Sequence, residues 1–180
     1  MIRIETFACT GWRIGWCIGP KHLISPILSA HTRICFCCNS AASEAAGVGL
    51  AHAAKSDFFP RQVAEYDERR QRLCNIFSDL GLTYHWPSGS YFVMVDLSAI
   101  QIPAEFDFPQ DIRSRDKSYQ MAWFVAKTAD VVGIPATAFA STEGAKHFEQ
   151  YVRFSFCKTE NEFSAAEERL QKLKPYLKPN

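Results

Sequence analysis

Two rhythms of apolar residues divide this chain into elements. Trp12-Arg13-Ile14-Gly15-Trp16-Cys17-Ile18 is a run of β-branched and aromatic residues closed by Gly19-Pro20, which predicts a strand with a firm stop. That strand is apolar on both faces and calls for cover from both sides. Little precedes it, so the chain reads as one that begins in the middle of a domain. Lys21 to Arg33 follows with helical spacing at Leu23, Ile27, Leu28 and His31, and with Pro26 near its first turn. Asn39-Ser40 can cap a second helix, Ala41 to Ala54, built almost wholly of small residues. Gly47 and Gly49 lower its helicity by about 1 kcal/mol each relative to Ala, a cost that anticipates another backbone packed close by.

Phe58 to Leu80 predicts a long amphipathic helix with Val63, Tyr66, Leu73, Ile76, Phe77 and Leu80 along its apolar stripe. Glu65, Asp67, Glu68, Arg69, Arg70 and Arg72 form its solvated face, and Gly81 ends it. Pro87-Ser88-Gly89-Ser90 introduces a strand over Tyr91 to Asp96. Gln101 to Lys117, polar and with two prolines, predicts a surface loop. Tyr119 to Ala129 suits a helix, while Val131 to Pro135 and Tyr151 to Phe156 suit strands. Thr159 and Glu162 have capping-box spacing ahead of Phe163, Ala166, Leu170 and Leu173, and Pro175 closes that last helix. Helices and strands alternate from Phe58 onward, which predicts an α/β layer.

Composition narrows the function classes. With 20 Lys+Arg against 19 Asp+Glu, the formal charge of +1 carries no basic surplus for nucleic acid or an anionic membrane surface. No stretch approaches the roughly 18–20 continuous apolar residues of a membrane span. The 14 Phe, 4 Trp and 6 Tyr supply a core and exclude a disordered chain. The 7 cysteines are odd in number and sit in apolar runs, without paired Cys-x-x-Cys knuckles. They read as reduced, buried thiols of an intracellular protein, with no metal site; adjacent Cys37 and Cys38 rarely converge on one tetrahedral ion.

Alternation places Val152, Phe154 and Phe156 on one face of the last strand and Tyr151, Arg153 and Ser155 on the other. Arg153 thus sits on a rigid element between aromatic neighbours, with no acid two positions away. A guanidinium there needs a carboxylate or phosphate, to which it offers a planar two-point fork. Two uses stand open on pattern alone, a structural ion pair with a distant Asp or Glu, or a ligand site.

The run Glu5-Thr6-Phe7-Ala8-Cys9-Thr10-Gly11-Trp12-Arg13-Ile14-Gly15-Trp16 resembles the segment around and after the cofactor lysine in fold-type-I pyridoxal-phosphate aminotransferases of class I/II. Pro87-Ser88-Gly89-Ser90-Tyr91-Phe92, Ile134-Pro135-x-x-x-Phe139 and Tyr151-Val152-Arg153-Phe154-Ser155-Phe156-Cys157-Lys158 resemble later family motifs in the same order. The resemblance covers essentially the whole chain and is closest to the kynurenine aminotransferase / cysteine-conjugate β-lyase / glutamine transaminase group. It implies that residues 1–56 are the end of the cofactor-binding large domain and residues 57–180 the small C-terminal α/β domain. It implies further that Arg13 binds the phosphate of pyridoxal 5'-phosphate and that Arg153 clamps the substrate α-carboxylate. Phe36 would reach the neighbouring subunit's active site in a homodimer. Cys37 stands where relatives place a histidine. The implied activity moves an amino group from an aromatic or sulfur amino acid to a 2-oxo acid, in the cytoplasm or also the mitochondrion. β-Elimination on cysteine conjugates begins from the same cofactor adduct and stays open beside it.

One departure matters most. Glu5 matches the Schiff-base lysine, and Ile2 matches the phosphate-binding serine three residues before it. A carboxylate can neither form an imine with the cofactor aldehyde nor shuttle its proton as an amine. As written, the chain resembles the C-terminal half of an aminotransferase and is expected to be inactive alone, with weak or absent cofactor binding. Either its reading frame is truncated, or it is a genuine short protein, a non-catalytic remnant that pairs with a full-length aminotransferase. In isolation, roughly the first fifty residues are expected to lack sheet partners, while residues 58–177 fold as a compact layer.

Overall fold

The computed structural model describes residues 2, 3, 7 and 9–178. The chain forms two compact units, Met1–Gln62 and Val63–Asn180.

In the first unit, β1 (Ile2–Arg3) pairs antiparallel with β2 (Gly15–Trp16), Ile2 opposite Trp16 and Arg3 opposite Gly15. The strand expected over Trp12 to Ile18 shrinks to β2. Trp12 ends a 3-10 turn over Thr10–Trp12, its N–H donating to the Cys9 carbonyl at 3.1 Å, and Arg13 then turns left-handed at φ 55°. A side-chain-bearing residue at that φ cannot continue an extended strand. Next come α1 (Lys21–Ile34) and α2 (Ser40–Ala53). Asn39 caps α2, its side-chain oxygen accepting from the Ala42 N–H at 2.9 Å. Among the described residues the close backbone anticipated from the α2 glycines is not there. A Cβ at Gly47 would meet open space, and one at Gly49 would touch the ring of Phe7 at 3.5 Å. That ring packs against Phe58 and Phe59, at 5.4 and 6.0 Å between centroids.

The thiols depart from expectation. Cys74 is buried, Cys9 and Cys157 are half-buried, and Cys17, Cys35, Cys37 and Cys38 are exposed. Cys35, Cys37 and Cys38 lie between α1 and α2.

The second unit is a helical layer on one antiparallel sheet. α3 (Phe58–Asp79) buries Leu73, Cys74, Ile76 and Phe77. Its stripe begins later than predicted, since Val63 is 64% exposed. Gly81 then takes φ 71°, the left-handed conformation that closes a helix without Cβ strain. The sheet order is β3 (Thr83–His85), β4 (Phe92–Asp96), β6 (Tyr151–Ser155), β5 (Ile134–Pro135). β3 was not anticipated, and β5 keeps only two residues of the strand expected from Val131 to Pro135. Both β4 and β6 alternate half-buried and buried positions, so Val93, Val95, Val152 and Phe154 join the core. α3, α5 (Lys117–Ala129) and α6 (Glu160–Leu170) contribute Phe77, Phe124, Val125, Phe163 and Leu170 to that same core. The other face of the sheet carries Arg153.

The segment expected as a surface loop over Gln101 to Lys117 is partly structural. It holds α4 (Gln110–Arg113), and Phe106 packs edge-on against the buried ring of Phe124 at 5.0 Å. The capping box of α6 forms as the spacing predicts. Glu162 accepts from the Thr159 N–H at 2.8 Å, and its carboxyl is held down to about 2, chiefly by that backbone hydrogen bond. The helix passes at Leu170 into a 3-10 segment over Gln171–Tyr176 that contains Pro175, so the proline lies inside this extension and does not end the helix. Among the described residues no helix is long and apolar enough to cross a membrane.

Candidate functional site

The site with the most chemical content is built around Arg153. Register puts Met94 of β4 and Ile134 of β5 on either side of it, and these cross-strand neighbours share its face of the sheet. Phe92 pairs with Ser155, which makes it the diagonal neighbour of Arg153 on that face. The chain leaves β5 after Pro135 and forms a 3-10 segment, Ala136–Phe139, that ends in a second phenylalanine.

These two rings enclose the guanidinium. Its central carbon lies 3.9 Å from the ring centroid of Phe92 and 3.9 Å from that of Phe139. The two rings make no contact with each other among the described residues, so they occupy opposite faces of the cation. Each such contact is worth about 0.5–2 kcal/mol, more as water is removed. The sandwich leaves only the edge of the guanidinium, its fork of N–H donors, for polar partners. Nε is buried without a hydrogen-bond partner. Burial pushes the pKa of the group down, and Tyr91 works against that shift. A guanidinium nevertheless stays charged at any physiological pH.

Among the described residues Arg153 makes no ion pair. Leaving a buried donor unmatched costs about 1–3 kcal/mol, which a planar anion meeting the fork would recover.

The same face carries a second aromatic group. His85 stacks on Tyr151 at 5.4 Å and 25°, and Phe148 meets the same tyrosine edge-on at 6.4 Å. A cavity of about 520 Å³ lies elsewhere, over Leu73, Phe77, Phe163 and Leu170 on the helical side. Charges at its rim are already paired, Arg169 with Asp130 at 3.2 Å and Lys158 with Glu162 at 3.2 Å.

The other expected residues belong to the first unit. Arg13 is exposed and ends the 3-10 turn in the left-handed conformation. Phe36 sits between α1 and α2, is 79% exposed and has φ 63°. Among the described residues the non-glycine positions with positive φ are Arg13, Phe36, Ser90 and Asp130. Two of the three residues expected to bind ligands therefore hold a backbone conformation that L side chains avoid, a form of local strain that clusters at functional sites. Glu5 lies outside the described residues. The resemblance sets it at the position of the cofactor lysine, where a carboxylate offers no amine for covalent attachment. No cluster of three metal-binding side chains occurs among the described residues.

The sequence did not reveal the aromatic enclosure. Phe92 and Phe139 stand in two of the motifs quoted above, yet their meeting over Arg153 depends on the β4–β6 register and on the path of the chain after β5.

Comparison with known proteins gives this arrangement a family. The family model described as aminotransferase class I and II matches residues 6–170, and the chain belongs to that family. A protein of Saccharomyces cerevisiae named "Probable kynurenine--oxoglutarate transaminase BNA3" is 38% identical over 174 residues, covering 96% of this chain and 39% of the relative. The kynurenine--oxoglutarate transaminase of Dictyostelium discoideum is 31% identical over 173 residues, 94% of this chain and 40% of its own length. The crystal structure of yeast Bna3p superposes with a TM-score of 0.88 at 38% identity, over 97% of this chain and 41% of that one. The chain thus spans about two fifths of the length of these relatives.

Proposed function

We propose that this chain is the substrate-carboxylate half of a pyridoxal-phosphate-dependent aminotransferase of the kynurenine–oxo-acid type. The whole enzyme would move an amino group from an aromatic or sulfur amino acid to a 2-oxo acid. Arg153 takes the α-carboxylate of the substrate. Its fork donates two parallel N–H bonds to the two carboxylate oxygens, which fixes both the position and the plane of the acid. Phe92 and Phe139 hold the fork in one plane and exclude water from its faces. Arg13 takes the cofactor phosphate, where a cation complements a dianion. Phe36 reaches the active site of a neighbouring subunit in a homodimer, in the cytoplasm or the mitochondrion. No step runs through attachment of the cofactor to this chain, because Glu5 offers no amine.

The observation that carries this reading is the half-buried guanidinium of Arg153 between two aromatic rings, its Nε buried and without a hydrogen-bond partner. Kinship with proteins named kynurenine--oxoglutarate transaminases supports the substrate class. Calorimetric titration of the chain with 2-oxoglutarate tests it. Saturable binding to the wild type and its loss in Arg153→Gln are expected. Equal heats for the two proteins would refute the assignment.

A further inference from the structure

The placement of Phe139 over Arg153 poses a mechanical problem. β5 is two residues long and pairs with β6 only through Ile134 with Arg153 and Pro135 with Val152. Proline has no N–H to give to a ladder, so the strand holds its successor weakly. The 3-10 segment that delivers Phe139 begins at the next residue, Ala136.

Ser118 supplies the missing tie. It lies in the first turn of α5 and is completely buried. Its Oγ donates to the Tyr151 carbonyl at 2.6 Å and accepts from the Ala136 N–H at 2.8 Å. Tyr151 opens β6 two residues before Arg153, and Ala136 stands three residues before Phe139. A single oxygen therefore bridges the strand that carries the cation and the segment that carries its aromatic cover. The bridge needs one group that donates and accepts at once, which a hydroxyl does and alanine or valine cannot. Asp116 adds a second tie. Its Oδ1 accepts from the Ser118 N–H at 3.0 Å and from the Thr137 hydroxyl at 3.0 Å, so the cap of α5 also grips the segment one residue further on.

We infer that Ser118 is a positioning residue for the Arg153 site, setting its carboxylate affinity by registering Phe139 over the guanidinium. This rests on the carboxylate role proposed for Arg153, but the tie itself can be read without it.

The test uses the full chain labelled at arginine side chains. A guanidinium between two rings gives a ring-current-shifted Nε–Hε signal. In Ser118→Ala that signal moves toward the position of an uncovered arginine, and 2-oxoglutarate affinity falls roughly tenfold. Phe139→Leu lowers affinity by a similar factor, and the double variant is no weaker than the worse single one, because both changes act through one ring. Thr137→Val, which loosens only the Asp116 tie, shifts signal and affinity less in the same direction, and it carries the test should Ser118→Ala fail to fold. An unmoved Arg153 signal in the folded variants, or effects of Ser118→Ala and Phe139→Leu that simply multiply, would overturn the inference. A wild type that shows the shifted signal yet binds no 2-oxoglutarate refutes the carboxylate role, and collapse of the signal in Ser118→Ala then still upholds the tie.

Discussion

Phe139 covers one face of the Arg153 guanidinium at 3.9 Å, although the two stand 14 positions apart in the sequence. Phe92 covers the other face at the same distance, and no carboxylate among the described residues meets the edge between them. A cation dried on both faces and open at its edge is selective for planar anions in the plane of its fork.

The first prediction concerns that enclosure. Phe92→Leu keeps apolar bulk but removes the ring that faces the cation. Affinity for 2-oxoglutarate is expected to fall between about two- and thirtyfold, the range of one cation–aromatic contact. Calorimetry on the folded variant reads the effect. An unchanged affinity would show that the ring is packing only.

Gly133 stands where the chain enters β5. A Cβ there would lie 2.4 Å from Val152 Cγ1 and 2.8 Å from the Phe154 ring, both in the core. Gly133→Ala is therefore expected to destabilise the second unit by about 1–3 kcal/mol through overpacking. Chemical denaturation followed by aromatic fluorescence measures this. A neutral effect would mean that β5 yields freely, which would also weaken its role in placing Phe139.

Tyr66 gives a pH-dependent check. Burial, with help from its hydrogen bond to Cys157 at 3.4 Å, pushes its hydroxyl up to about 12 from the usual 10.0. The folded pKa lies above the unfolded one, so the stabilisation is complete below pH 10 and is lost as pH rises through about 12. Ultraviolet titration is expected to show this late tyrosinate. Cys157→Ala should lower its midpoint only in part, because burial is the larger cause. A midpoint in Cys157→Ala equal to that of the wild type would contradict the coupling.

Phe36 holds φ 63° with its ring exposed. Phe36→Gly removes the Cβ that the left-handed region disfavours, without opening a cavity. The expected gain is roughly 0.5–1 kcal/mol in the unfolding of the first unit. A loss of stability would show that the ring packs within the chain, against its assignment to a neighbouring subunit.

Much of this architecture was legible in the sequence because its signals are local. Asn39 caps α2, Thr159 and Glu162 box the start of α6, and Gly81 closes α3, each by a rule that acts over a few residues. The alternation of β6 is equally local, and it placed Arg153 on the correct face. The failures came where a distant contact or one backbone angle decides. Arg13 at φ 55° cuts short a strand whose composition looks continuous. Thr83-Tyr84-His85 becomes a strand only because β4 offers it an edge. Phe106 looks like part of a polar loop and is recruited by Phe124. The site divides in the same way. The cation could be read from its own strand, whereas its rings and the Ser118 bridge come from residues that meet only after folding.

A crystal structure of the chain with bound 2-oxoglutarate tests the central assignment most directly. A carboxylate is expected in the plane of the Arg153 guanidinium, with two oxygens about 2.7–2.9 Å from its nitrogens and Phe92 and Phe139 on either face. Arg153 found paired with a protein carboxylate, or the acid bound away from β6, would contradict it.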